Sequence, residues 1–121
     1  MNNDVTFEVS RPDAQRVVAT LREGTDEAEI TGWNPERSAA ALLNAVEVAA
    51  GPDAYSECYW PEPTGHYWWM FKRTDQSLET VVLWSRSSAV GWQHVFRACD
   101  EVGYVRDLIQ TALAESGLRQ P

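Results

Sequence analysis

Four side chains in this sequence are of the types that bind transition metals or form nucleophilic pairs. They are Cys58, His66, His94 and Cys99. Their separations contain no CxxC half, which most structural zinc modules use, so a Cys2His2 zinc site is not favoured. Cys99 precedes a predicted helix, but the neighbouring charge of Asp100 opposes the thiolate that a nucleophile would need. We therefore predict no metal, no catalytic residue and two free thiols.

Other signatures of catalysis are also missing. No glycine-rich phosphate loop, HExxH, GxSxG or EF-hand pattern occurs. Glu57 and Glu62 form an acid–base pair only if their geometry is assumed, and solvated loop charge is the simpler interpretation. His94 alternates with apolar neighbours, which is typical of a hydrogen-bonded core histidine or of a polar group in a pocket. The sequence predicts no cofactor, and an enzyme is a less favoured interpretation than a binding protein.

The charge balance limits the partners. Ten Lys and Arg against eighteen Asp and Glu give a formal charge of −8, which repels phosphate backbones and anionic lipid surfaces. We therefore expect no nucleic acid and no membrane as partner. The stretch "MNNDVTFEVS" has neither a basic region nor an apolar run, and no segment is apolar enough to span a bilayer. We expect a cytoplasmic protein.

The chain predicts a single α+β domain over residues 1–121. "VTFEV" has the alternation of a half-buried strand, and "SRPDAQRVVATLREG" has the spacing of a short amphipathic helix. A brief strand is expected around Ile30. The clearest helix is predicted over 35–50, with Asn34 as its cap, and another over 101–116, with the preceding aspartate as its cap.

Residues 55–99 are rich in Tyr, Trp, Val and Phe and contain three turn signals, which predicts an antiparallel meander sheet of four or more strands. Two or three amphipathic helices would pack this sheet. If "TDQS" is a four-residue turn, Arg73 pairs with Leu78 and Tyr67 with Trp84, because antiparallel partners keep a constant sum of positions.

Both faces of this predicted sheet are apolar. One face holds Tyr67, Trp69, Phe71, Val82 and Trp84, continued by Gln93, Val95 and Arg97. The other holds Trp68, Met70, Val81, Leu83, His94 and Phe96, with Trp92 at its end. We predict the second set as the core beneath the helices at 35–50 and 101–116, because it is the more uniformly apolar. Two interpretations of the first set stay open, since it is either covered by the remaining elements or exposed for binding.

If that first face is exposed, it supplies binding residues. Aromatic rings with an arginine are typical of interaction hot spots, so Tyr67, Trp69, Trp84 and Arg97 are the predicted partner-binding side chains. A second candidate set is the acidic run of Asp26, Glu27 and Glu29. These carboxylates form either a solvated loop or a negative surface that attracts a basic partner.

A small, acidic, tryptophan-rich chain with "WWMFKR", "VVLWSR" and "GWQHVFRACD" on successive strands resembles the cytoplasmic immunity proteins that bacteria encode beside toxins. The resemblance is one of general character over the whole chain and supplies no residue-by-residue motif. It implies a protein that occludes the active site of a cognate toxin, often a basic nuclease surface. The alternatives are a small-molecule-binding domain with a Trp-lined pocket and, less favoured, a small enzyme.

Overall fold

The computed structural model describes residues 4–87 and 91–118, which form two antiparallel sheets and two helices. In chain order the elements are β1 Thr6–Asp13, β2 Arg16–Glu23, β3 Asp26–Trp33, α1 Pro35–Ala50, β4 Tyr55–Glu62, β5 Gly65–Thr74, β6 Ser77–Ser85, β7 Gln93–Glu101 and α2 Val102–Glu115. The N-terminal sheet has the order β1-β2-β3 and the C-terminal sheet the order β4-β5-β6-β7. The predicted α+β class and the four-stranded meander are confirmed.

The helix predicted for "SRPDAQRVVATLREG" is wrong, because this segment forms the β1–β2 hairpin. The Asp13 carboxylate stabilises the turn by accepting a hydrogen bond from the Gln15 backbone N–H at 2.8 Å. Val17, Ala19 and Leu21 are all buried, and their spacing of two places them on one face of β2. The apolar residues of this segment fit both a helical period and a strand period, and pairing with two neighbouring strands decides for the strand.

The predicted strand around Ile30 is confirmed, since Ile30 is buried in the middle of β3. The end of β3 is tied to the C-terminal sheet through Glu62. Its carboxylate accepts from the indole N–H of Trp33 at 3.2 Å and from the hydroxyl of Thr31. Glu62 is therefore a bridge between the sheets and not the solvated loop charge that the sequence suggested.

Helix α1 has the predicted bounds, 35–50. Asn34 occupies the N-cap position, but its backbone is left-handed (φ 60°) and its side chain makes no capping hydrogen bond, so its predicted role as a side-chain cap is wrong. The other end of α1 is held by Arg73, whose guanidinium donates to the carbonyls of Ala49 at 3.2 Å and Gly51 at 2.8 Å. A cation at this end also complements the helix dipole.

Helix α2 agrees with the predicted segment 101–116 to within one residue at each end. Its cap is Glu101 and not Asp100, because the Glu101 carboxylate accepts from the backbone N–H groups of Gly103 and Tyr104. Asp100 is instead buried and accepts from the backbone N–H groups of Asp4 at 3.0 Å and Val5 at 3.2 Å. This carboxylate fastens the start of the described chain to the end of β7.

The register predicted for β5 and β6 is confirmed, including the pairs Arg73–Leu78 and Tyr67–Trp84. The chain reverses through a two-residue turn in which Asp75 has a φ of 55°. A register shift next to Val82 changes the pairing of β6 with β7. His94 and Phe96, predicted on one face, therefore lie on opposite faces, and only Phe96 is buried.

One face of the C-terminal sheet, the inner face, contains Trp69, Phe71 and Val82, each 0% exposed. The N-terminal sheet covers it, with the Phe7 ring edge-on to Trp69 at a centroid distance of 6.3 Å. Helix α1 covers the neighbouring part, where the Trp60 indole donates to a carbonyl of the helix at 2.9 Å. Of the two interpretations of this face, burial is therefore correct.

The core assignment of the opposite set is wrong for all of its members except Phe96. Trp68, Met70, Val81 and Leu83 are half-buried and His94 is exposed. The helices pack on the other side of the sheet, together with the N-terminal strands. Because both helices and the N-terminal sheet pack on the inner face, the outer face has no covering layer among residues 4–87 and 91–118.

Glu23 is the last residue of β2, the central strand of the N-terminal sheet, and it lies near the buried Asp100. Burial raises the pKa of Glu23, and the charges of Asp100, Asp4 and Asp26 raise it further. Because the folded protein binds this proton more tightly than the unfolded chain does, stability falls as the pH rises through the carboxylate range.

We expect Glu23→Gln to remove this loss of stability. The variant should melt at a higher temperature than the wild type at pH 7, and the difference should vanish near pH 3, where Glu23 is protonated in both states. Thermal unfolding followed by circular dichroism between these pH values measures it. A variant that is less stable at pH 7 would show that the Glu23 carboxylate makes a favourable contact instead.

Candidate functional site

The outer face of the C-terminal sheet is a broad surface of mixed aromatic, aliphatic and charged side chains. It comprises Tyr55, Glu57, Tyr59 and Pro61 of β4; His66, Trp68, Met70 and Lys72 of β5; Glu79, Val81 and Leu83 of β6; and His94, Arg97 and Cys99 of β7. None of these side chains is buried. A face of this kind is unusual on an isolated chain, because large exposed apolar patches mark interaction sites.

Four rings form an aromatic cluster at one end of the outer face, namely Tyr59, His66, Trp68 and Trp92. Tyr59 and Trp68 are cross-strand partners, and their rings are nearly parallel (17°) with centroids 5.9 Å apart. The ring centroid of Trp92, which precedes β7, lies 5.1 Å from that of Trp68 and 4.9 Å from that of His66. Tyr59 is 46% exposed and Trp92 is 38% exposed. The cluster therefore offers rigid aromatic area to a binding partner at little cost in side-chain entropy.

The indole N–H of Trp68 is screened from solvent and has no hydrogen-bond acceptor among the described residues. An unmade hydrogen bond of this kind costs about 1–3 kcal/mol. A bound molecule that supplied an oxygen to this N–H would recover that free energy.

Charged side chains border the other end of the outer face. The Arg97 guanidinium donates to the Glu79 carboxylate at 2.6 Å, and Lys72 lies on the strand paired with Glu79. On β4 the Tyr55 hydroxyl donates to Glu57 at 2.7 Å, and this hydrogen bond raises the pKa of Tyr55 to about 12. Apolar rings and charged side chains together on one exposed face have the composition of a protein–protein interface.

The structure places the sequence-predicted aromatic residues on the inner face. Trp69 is fully buried, so it belongs to the core and is not a partner-binding residue. Tyr67 and Trp84 are half-buried, with ring centroids 4.7 Å apart. Arg97 is exposed as expected, but it lies on the outer face and not on the face of these rings, where it was predicted. Tyr59 and Trp92 were not predicted as binding residues, although the constant-sum rule applied to the Pro63–Thr64 turn pairs Tyr59 with Trp68.

The predicted acidic residues Asp26, Glu27 and Glu29 are exposed at the start of β3. Glu27 pairs with Arg22 at 3.1 Å on the solvent side of the N-terminal sheet. The β2–β3 turn that precedes them lies beside the charged end of the outer face. A surface groove there is lined from both sides, by Asp4, Glu23, Gly24 and Thr25 and by Ser77, Arg97 and Cys99. The acidic turn thus adjoins the outer face but lies at the end away from the aromatic cluster.

The four potential metal ligands are separated by the sheet. Cys58 points into the core, whereas His66, His94 and Cys99 lie on the outer face. Among the described residues no group of three Cys, His, Asp or Glu side chains could hold a metal ion. Both cysteines are free, and burial, with a smaller effect of Glu57, raises the pKa of Cys58 to about 12.

The two thiols should react very differently in the native protein. We expect a thiol reagent such as Ellman's reagent to modify Cys99 within minutes and Cys58 only after unfolding, because the reactive species is the exposed thiolate. Cys99→Ser should abolish the native reaction, whereas Cys58→Ala should leave it unchanged. Rapid modification of both thiols without denaturant would show that the β4 edge opens readily.

The enclosed space next to the core tryptophan is small. A cavity of about 20 Å³ lies between Trp69, Asp100 and Thr80 and the apolar residues of β1 and α2. That volume corresponds to about one water molecule. The cavity is therefore too small to be the Trp-lined ligand pocket considered from the sequence.

The chain matches no protein-family model, no curated protein and no solved structure. Within the described ranges no helix is long and apolar enough to cross a membrane. The exposed faces of the chain are therefore the features from which a function can be inferred.

Proposed function

We propose that this chain is a small acidic binding protein of the immunity type, which works in the cytoplasm and neutralises a cognate bacterial toxin by covering it. The observation that carries this proposal is the aromatic cluster, in which Tyr59, Trp68 and Trp92 form an exposed patch on an uncovered sheet face. Exposed Tyr and Trp rings are the side chains that most often dominate the free energy of protein association.

The shape and borders of the outer face favour a protein over a small molecule. Its aromatic cluster is accessible from solvent at one end, and side chains of both charge signs, Glu57, Lys72, Glu79 and Arg97, lie towards the other end. A small-molecule site would instead be a concave pocket that encloses most of its ligand. An open surface of this composition suits the face of another folded domain.

The formal charge of −8 favours a partner with a basic surface. The acidic β2–β3 turn adjoins the charged end of the outer face, so its field acts on a partner that approaches this side of the molecule. In this arrangement the rings hold the partner and the carboxylates increase the rate of encounter.

The experiment uses the product of the neighbouring gene. We expect its expression in a bacterial host to arrest growth and co-expression of the wild-type chain to restore growth. The double variant Tyr59→Ala/Trp68→Ala should fail to restore it while remaining folded, whereas the exposed-residue control Tyr55→Ala should still protect. Growth that is unaffected by either protein, together with affinity capture that recovers only small molecules, would contradict the proposal.

A further inference from the structure

A second surface feature, independent of the outer face, is an open groove between edge strand β1 and helix α2. Its volume is about 680 Å³, and its wall on the helix side is formed by successive turns of α2, at Tyr104, Leu108, Thr111 and Glu115. That volume lies in the range of about 300–1,000 Å³ that is typical of ligand clefts. The groove is therefore large enough for a short stretch of polypeptide.

The groove combines an apolar floor with an acidic border. Phe7, Val9, Leu108 and Ala112 supply apolar surface, while Glu8, Asp107 and Glu115 are exposed along its sides. No Lys or Arg is among its lining residues. Within the described chain the single ion pair of these three carboxylates joins Glu8 to Arg22 at 3.8 Å. The groove thus favours a ligand that is both basic and partly apolar.

Strand β1 adds main-chain hydrogen-bonding capacity. It is the edge of its sheet and pairs only with β2 among the described strands. An edge strand leaves alternate backbone N–H and C=O groups directed away from the sheet, where an added strand can pair with them. The Tyr104 hydroxyl donates to the carbonyl of Val5, the residue before β1, at 2.9 Å, which ties helix α2 to the start of the strand.

We propose that this groove binds an extended segment of a partner chain in which basic and apolar side chains alternate, added to β1 as a fourth strand of the N-terminal sheet. The alternation follows from the pleat, because Phe7 and Val9 point to the helix side and Glu8 to the solvent side. Apolar side chains of the added strand would lie over Leu108 and Ala112. Its basic side chains would lie beside Glu8 on the opposite face.

The test measures binding of labelled nine-residue peptides to the full-length protein by fluorescence anisotropy at low salt. A peptide that alternates Lys with Val should bind about tenfold more tightly than a peptide that alternates Glu with Val. It should also bind more tightly than a peptide of the same composition with its Lys and Val residues in blocks, or with proline at its centre. Equal binding by the blocked or proline peptide would overturn the added-strand geometry.

Protein variants locate the site. The triple variant Glu8→Gln/Asp107→Asn/Glu115→Gln should weaken binding of the alternating Lys peptide by about tenfold. The control Glu29→Gln/Asp53→Asn/Asp75→Asn removes the same net charge elsewhere and should change binding less than about twofold. Equal losses in both variants would reduce the effect to long-range attraction and overturn the proposal. Trp68→Ala should leave peptide binding unchanged, so this result is separate from the function proposed for the outer face.

Discussion

Trp69→Ala is expected to lower the free energy of unfolding by about 3–5 kcal/mol, the usual loss for a large aromatic residue removed from a core. Trp69 is fully buried. Its ring centroid lies 5.0 Å from that of Trp60 and 6.3 Å from those of Phe7 and Phe71. The substitution therefore leaves a cavity where both sheets meet. Urea denaturation followed by circular dichroism measures the loss.

The adjacent residue is the matched control. Trp68→Ala changes the same side chain one position earlier on the same strand, but its ring is only half-buried, on the outer face, where it packs against Tyr59 and Trp92. We expect it to cost about 2 kcal/mol, because the ring loses part of its buried area and two aromatic contacts. A larger loss for Trp68→Ala than for Trp69→Ala would mean that the two faces have been assigned in reverse.

The sequence was sufficient to predict the C-terminal sheet because its signals are local. The turn at "TDQS" and the constant sum of positions place every residue of β5 opposite its partner on β6, and the structure has this register. Helix α1 was predictable for the same reason, since Pro35 and Gly51 flank a continuous helical pattern. Short-range turn and cap chemistry determines these features without reference to the rest of the chain.

The identity of the buried face was not predictable, because it depends on long-range packing. Trp68 and Trp69 belong to two nearly equally apolar faces, and only the position of the covering layers distinguishes them. Those layers depend on the segment containing Val17 and Leu21, which was predicted as a helix and pairs as a strand. A sheet in place of that helix puts an apolar layer directly over Trp69. The prediction instead took the more uniformly apolar set as the core, and that criterion selected the wrong face.

The register shift beside Val82 is a second feature that sequence reasoning could not supply. The extra residue is Val95 of β7, which is neither glycine nor proline, the residues that usually mark a bulge in a sequence. Strict alternation keeps Phe96 on the same face as His94, which is the outer face, but the shift turns Phe96 into the core. The shift also brings Arg97 to the outer face, so the candidate site contains a cation that strict alternation had placed on the inner face.

Substitutions on the outer face and on the acidic turn are expected to affect different rate constants of partner binding. Trp68→Ala or Trp92→Ala should raise the dissociation rate by about thirtyfold, which corresponds to a hot-spot loss of about 2 kcal/mol, with little change in association. The reason is that these rings contact the partner only after the complex has assembled. Surface plasmon resonance with the captured toxin measures both rates, and Trp84→Phe, a change on the inner face, is the control.

Neutralising Asp26, Glu27 and Glu29 to their amides should instead slow association and flatten its dependence on salt, while dissociation stays nearly constant. These carboxylates are exposed at the start of β3, directly after the turn that adjoins the charged end of the outer face, so they act through their field during the approach of a basic partner. The same triple variant measured at high salt is its own control, because screening removes the difference from the wild type. If the amide variant dissociates faster and associates normally, these side chains are direct contacts, and the interface extends from the outer face across the β2–β3 turn.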